Sequence, residues 1–314
     1  MNFTAPAFVL AFPFVLALHW VLPPQARWVL LLAASLGFYA VGSPQALPLL
    51  AGITLGTYAA ALGIAKSEHA LVKKCWLVCA VLLCLGCLGV FKYAGLFGAG
   101  TSLLLPAGIS FYTFQTLGYV IDVYRRRLKP ERHLGYYALF VSFFPQLVAG
   151  PIERGANLLP QFAEKRVFDY SFAVDGMRLF LWGLMKKMLV ADNCAPVADY
   201  VFGNYQSLAT VDLWIGLFAF TVQVYCDFSG YSDMAIGSAK LFGIRLSTNF
   251  NHPFFAVTIR DFWRRWHMTL MGWLRDYVYF PLGGSRCSPL RHYFNVFALY
   301  MLSGLWHGPN WSFI

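Results

Sequence analysis

Five apolar runs, Phe8–Leu22, Trp28–Val41, Leu47–Ala65, Cys75–Phe91 and Leu103–Tyr124, follow one another with only short polar loops between them. In water, each would need a partner for an apolar surface that runs all the way round it. In a bilayer, a helix of about 20 such residues satisfies its own backbone and meets lipid on the outside. Several runs fall short of that length, so flanking Pro and Trp residues are expected to complete the spans. Charge agrees: only 12% of residues are charged, against about 25% in a soluble domain, too few to clothe a water-exposed surface. Length alone would permit two soluble domains. The runs instead predict an all-α fold, a polytopic transmembrane helical bundle, as one domain over residues 1–314.

The loops carry an orientation signal. Arg27 lies in the first loop, and none of the residues 42–46 is charged. Lys66, Lys73 and Lys74 lie in the third, Lys92 alone in the fourth, and Arg125, Arg126, Arg127, Lys129 and Arg132 in the fifth. Positive charge therefore alternates strong and weak, which predicts an outside N-terminus and a cytoplasmic 125–132 loop. The net charge of +10 follows from that bias. The basic residues sit between apolar spans, so the partner they imply is the lipid bilayer, with no nucleic acid. The N-terminus has no basic n-region, which makes the first run a retained span.

Beyond residue 134 the pattern loosens. The apolar stretch 136–150 is interrupted by Pro145 and reads as spanning or re-entrant, while 153–169 reads as a polar surface segment. Phe172–Val190, Val211–Cys226 and Ser229–Phe242 read as further spans, Arg260–Tyr279 as a basic and aromatic helix, and Tyr293–Ile314 as a last apolar run around one histidine. That run stops without a polar tail, and the chain is expected to be C-terminally truncated.

Three segments could carry chemistry. In Leu302-Ser303-Gly304-Leu305-Trp306-His307-Gly308, an imidazole in an apolar helix is a functional hypothesis by default. Gly304 and Gly308 would let a backbone or ligand approach it. The bland alternative is a histidine hydrogen-bonded between helices. In Asp261-Phe262-Trp263-Arg264-Arg265-Trp266-His267, Arg264 and Arg265 suit phosphate through their planar forks, and His267 would join the site. An interfacial amphipathic helix with snorkelling arginines reads equally well. In the 223–233 segment, Asp227, Ser229, Ser232 and Asp233 are expected to line a polar cavity, the carboxylates orienting histidine or arginine; a Ser–His–Asp triad has no geometric support from sequence. His252 is expected in a turn before Pro253. His19, His69, His133 and His292 are expected at the interface. Metal binding is not expected: Cys75 and Cys79 share one helix face, Cys84 and Cys87 point elsewhere, and no zinc or nucleotide-phosphate motif is present.

Taken together, the 142–152 run Ser-Phe-Phe-Pro-Gln-Leu-Val-Ala-Gly-Pro-Ile, Gln223–Asp233, Asp261–His267, Trp273-Leu274-Arg275-Asp276-Tyr277, Pro281-Leu282-Gly283-Gly284 and Trp306-His307-Gly308 resemble the bacterial membrane-bound O-acyltransferases. The branch is that of alginate O-acetyltransferases and peptidoglycan O-acetylation transporters, with the D-alanyl transfer protein of teichoic acid modification more distant. The resemblance implies a ring of helices around a funnel through the bacterial cytoplasmic (inner) membrane. It makes His307 the family's principal histidine and His267 the second. It also implies an acyl, by expectation acetyl, group moved from a cytoplasmic thioester donor to a hydroxyl of an extracytoplasmic polysaccharide or cell-wall glycan, possibly through a periplasmic acetyltransferase partner. Acetyl-CoA, or another acyl-CoA or acyl carrier, would be the donor substrate, with no permanently bound cofactor. His307 would act as general base, His267 would orient the thioester or stabilise the oxyanion, and Arg264 and Arg265 would engage donor phosphates. Family members continue past the position of His307, so the funnel is expected to be incomplete. A transporter or channel and an inactive truncated scaffold are the alternatives.

Overall fold

A computed structural model describes residues 3–93, 105–308 and 310. Leu103 and Leu104 of the fifth apolar run, and residues 309 and 311–314 of the last, lie outside the described residues. The described secondary structure is helical throughout. The first five runs become α1 (Pro6–Val21), α2 (Arg27–Gly42), α3 (Leu47–Lys66), α4 (Ala70–Leu88) and α5 (Ile109–Tyr124). Three segments, Pro44–Lys66, Ala70–Tyr93 and Thr210–Leu241, are long and apolar enough to cross a membrane, and α1 and α2 are shorter apolar helices.

The second half departs from the sequence reading in four places. The 136–150 stretch breaks at Phe143, not at Pro145: α6 (Leu134–Ser142) ends there, and Pro145 sits in the first turn of the short α7 (Phe144–Leu147), where its missing N–H costs nothing. The 153–169 segment is not simply a surface: Glu153 is 1% exposed, and α8 (Gly155–Ala163) follows it. Val211–Cys226 and Ser229–Phe242 are not two spans but one helix, α11 (Thr210–Leu241). The Arg260–Tyr279 helix is broken into α12 (Ile259–Arg265) and α13 (Met268–Leu274), which runs on into a π-helical turn, Arg275–Tyr279.

α11 stays continuous through its polar middle because its neighbours supply counter-charges. α9 (Tyr170–Met185) leads through a π-helical turn, Lys186–Ala191, into α10 (Asp192–Gly203). That turn sets Lys186 Nζ 2.7 Å from Asp233 and Lys187 Nζ 2.7 Å from Asp227 and 2.6 Å from Asp192. The approach is close because glycine faces glycine: a Cβ on Gly237 would lie 2.6 Å from the Gly176 carbonyl oxygen, and one on Gly230 2.7 Å from that of Gly183. Small residues of this kind let helix backbones meet where lipid offers no hydrophobic driving force.

Phe8, Phe12, Phe38, Phe144, Phe180 and Phe242 form one aromatic cluster that ties α1 and α2 to α7, α9 and the end of α11. His19, expected at the interface, is packed into it at 3% exposure, with its ring 5.1 Å from that of Phe242. On the other side, Trp273 stacks on Phe114 at 4.3 Å and donates from Nε1 to the Phe114 carbonyl at 2.8 Å. That contact fixes α13 against α5 and so sets the depth of the break before it.

Candidate active site

The chain reverses between α12 and α13. His267 takes a left-handed backbone conformation, φ 43°, which costs a non-glycine residue about 1–3 kcal/mol and persists only where its surroundings enforce it. Two backbone bonds do so: the Asn251 N–H donates to the Arg265 carbonyl at 2.9 Å, and the Met268 N–H donates to the Asn249 carbonyl at 2.8 Å. The kink sends the imidazole inward, where it is 2% exposed. Phe228 meets it edge-on with centroids 4.7 Å apart, Trp306 lies at 5.4 Å, and Phe250 at 6.3 Å. His267 lies outside the candidate spans. Burial, with His307 a smaller contributor, pushes its protonation down to about 3, so the ring is neutral.

His307 is the last residue of α14 (Pro289–His307) and is exposed. Its Nδ1 lies 2.7 Å from the Ser303 carbonyl oxygen. A carbonyl only accepts, so in the neutral ring Nδ1 carries the proton and Nε2 the lone pair. The Trp306 indole touches both histidines, its centroid 4.9 Å from that of His307.

A cleft of about 640 Å³ opens between α12, α13 and α14; the imidazoles themselves do not line it. Arg260, Arg264 and Arg275 line it, together with Met268, next in the chain to His267, and Ser303, which holds His307. The two arginines expected to act together part company. Arg264 faces the cleft, whereas Arg265 turns away from it to pair with Asp261 at 2.9 Å. Arg260 and Arg275 were missed. The i, i+4 spacing of Arg260 and Arg264 is the signal that could have found the first; the second stood in the 273–277 motif without a role, and in the fold it also pairs with Asp276 at 2.9 Å.

The 223–233 segment is also only partly as expected. Asp227 and Asp233 form ion pairs with Lys187 and Lys186, with His252 a weaker electrostatic neighbour of Asp233. The expectation failed because the π-helical turn that swings both lysines inward has no sequence signature. Ser229 is fully buried and its Oγ has no protein partner. Ser232 accepts from Asn249 Nδ2 at 3.1 Å. Among the described residues neither serine has a histidine as a hydrogen-bond partner, and no triad forms. His252 does occupy a turn, at φ 46°. Among the described residues no cluster of three or more His, Cys, Asp or Glu side chains could hold a metal ion.

A helical membrane protein with two imidazoles gathered around one tryptophan, beside an arginine-lined cleft, is the class defined by this fold and site. The chain belongs to the membrane-bound O-acyltransferase family, whose model matches residues 131–314. It is 41% identical to the probable alginate O-acetylase of Azotobacter vinelandii, over all of this chain and 66% of that protein. It is 37% identical to the peptidoglycan O-acetyltransferase of Helicobacter pylori, over 99% of this chain and 67% of that protein. A more distant similarity, 29% over 66% of this chain and 55% of the other, is to the teichoic acid D-alanyltransferase of Bacillus subtilis. The chain spans about two thirds of the length of the curated relatives that it matches most strongly.

Proposed function

We propose that this chain forms the acyl-transfer centre of a membrane O-acetyltransferase that acts on a cell-surface polysaccharide or cell-wall glycan. The observation that carries the proposal is the meeting of His267 and His307 around Trp306, with Met268, next in the chain to His267, and Ser303, bonded to His307, lining a cleft that also holds Arg260, Arg264 and Arg275. A thioester donor, acetyl-CoA or an acyl carrier, enters with its phosphate on the arginines, of which Arg264 is the one singled out by sequence. A thiol has a pKa near 8.5, so thiolate leaves readily and the step in need of help is deprotonation of the acceptor hydroxyl. The His307 Nε2 lone pair takes that proton, the oxygen attacks the thioester carbonyl, the C–S bond breaks, and the thiolate departs and is protonated. The acceptor is a glycan hydroxyl or a relay hydroxyl on an extracytoplasmic partner. The chain lies in the cytoplasmic membrane with the 125–132 loop inside, so donor and acceptor reach the histidines from opposite faces.

General-base catalysis contributes typically 10²–10⁴-fold. His307→Ala in the full-length protein should therefore abolish transfer of radiolabel from acetyl-CoA to glycan in inverted vesicles, with the protein still inserted and folded. Retained turnover would overturn the reading.

A further inference from the structure

The buried amide of Asn249, in the segment between α11 and α12, makes more contacts with the site than any sequence signal suggests. It is 0% exposed. Its Oδ1 faces three donors: the Thr269 hydroxyl at 2.9 Å, the Thr269 backbone N–H at 3.4 Å and His267 Nδ1 at 3.0 Å. Its Nδ2 donates to Ser232 Oγ at 3.1 Å. The Thr269 hydroxyl in turn accepts from the Ile152 N–H at 3.0 Å. The amide cannot be turned round, because the atom against a backbone N–H must be the oxygen. An amide oxygen does not donate, so His267 must carry its proton on Nδ1. Its Nε2 is buried and has no protein hydrogen-bond partner.

We infer that Asn249 is a positioning residue that locks His267 in the Nδ1–H tautomer, so that Nε2 presents a lone pair that accepts a hydrogen bond during acyl transfer while His307 acts as the base. This rests on the acyl-transfer reading above and changes one role within it. A neutral ring in this tautomer cannot donate from Nε2, so His267 is an acceptor and not an oxyanion donor. The surroundings are arranged to keep it so. Phe111 from α5, Phe228 from α11 and Phe250 beside Asn249 present aromatic rings to the imidazole. His307, at the end of α14, is the titratable group that acts on it. The Nδ1–H···O=C orientation is the one by which a supporting group fixes a functional histidine.

Nitrogen-15 NMR of histidine-labelled full-length protein in detergent tests the tautomer without any donor present, with His267→Gln assigning the resonance. The wild type should show an unprotonated Nε2 and a protonated Nδ1 near neutral pH. Asn249→Leu should lose that preference and lose turnover by on the order of 10²-fold, because in the other tautomer Nε2 carries a hydrogen and offers no lone pair. Asn249→Asp keeps an oxygen for Nδ1–H and lets Ser232 donate instead of accept. It should keep the tautomer, recover most of the turnover, and move the acid limb of the pH–rate profile upward, since a carboxylate favours the imidazolium. A protonated Nε2 in the wild type, or an Asn249→Leu protein with an unchanged tautomer, would overturn the assignment. If Asn249→Leu misfolds, the wild-type and Asn249→Asp spectra still decide it. Wild-type protein that holds the tautomer but transfers no acyl group to any hydroxyl would sink the functional reading, and with it the acceptor role of Nε2 in acyl transfer, while the assignment of the proton stands.

Discussion

The Lys92 ammonium donates to the Trp306 carbonyl oxygen, one residue before His307. It also reaches Ser110 Oγ at 3.2 Å, and the neighbouring Tyr93 hydroxyl donates to the Leu305 carbonyl at 2.7 Å. Helix α14 ends there, and carbonyls in a last helical turn lack intrahelical partners. A cation beside them is favoured by the helix dipole as well. The π-helical turn after α4, Gly89–Tyr93, thus holds the end of the helix that presents His307.

Replacing that cation should loosen the last turn of α14. A hydrogen bond to a charged group contributes about 1.5–3 kcal/mol, so Lys92→Met should lower the rate of acyl transfer by about tenfold or more with little change in donor KM. Lys92→Arg should recover part of it. Steady-state kinetics in vesicles would check this, and an unchanged rate for Lys92→Met would refute it.

The two arginines should separate kinetically. Arg264 lines the cleft, so Arg264→Gln should raise the KM for the thioester by about tenfold or more, the loss of a charge-assisted phosphate contact. Arg265 is committed to Asp261 in a partly exposed pair worth at most about 1 kcal/mol. Arg265→Gln should therefore leave KM nearly unchanged and lower Tm slightly. Equal KM effects would place the phosphate elsewhere.

Glu153 should show itself in stability. It lies in the irregular segment between α7 and α8, outside the candidate spans. Its carboxylate accepts from Asn157 Nδ2 at 2.6 Å, the Ser247 hydroxyl at 3.1 Å and the Ser247 N–H. An amide would set its own NH₂ against a donor, so Glu153→Gln should cost about 1–3 kcal/mol. Burial raises the Glu153 pKa above its ordinary value, against those hydrogen bonds. The sign follows: the folded form binds the proton more tightly, so this contribution is fully present below the unfolded pKa and is lost as pH rises through the raised folded value. Thermal unfolding from pH 4 upward should show that loss in the wild type and not in Glu153→Gln.

The glycine seam should resist even small side chains. Gly237→Val would force a branched side chain against the Gly176 carbonyl and the Phe180 backbone at 2.6 Å. It should part α9 from α11, lower Tm by several degrees and disturb the Lys186–Asp233 pair. Gly52→Ala, on a face with open space, is the control and should be silent.

Residue order alone determined that this chain is helical and membrane-embedded, because span length and hydropathy are properties of contiguous residues and need no tertiary context. It also marked His307, since an imidazole inside an apolar run is conspicuous on its own, and His267 through the arginine pair and the motif beside it. It could not separate Arg264 from Arg265, whose difference is the direction each takes at the end of a short helix. Nor could it reveal the pairing of Asp227 and Asp233 with two lysines some forty residues upstream. Asn249 and Lys92 were invisible for the same reason. One read as part of a turn and the other as a loop charge, and each acquires its role only when the fold brings it to a histidine or to a helix end that lies far along the chain. Hydrogen-bond direction, tautomer and charge pairing depend on distances of about 3 Å, which only packing decides.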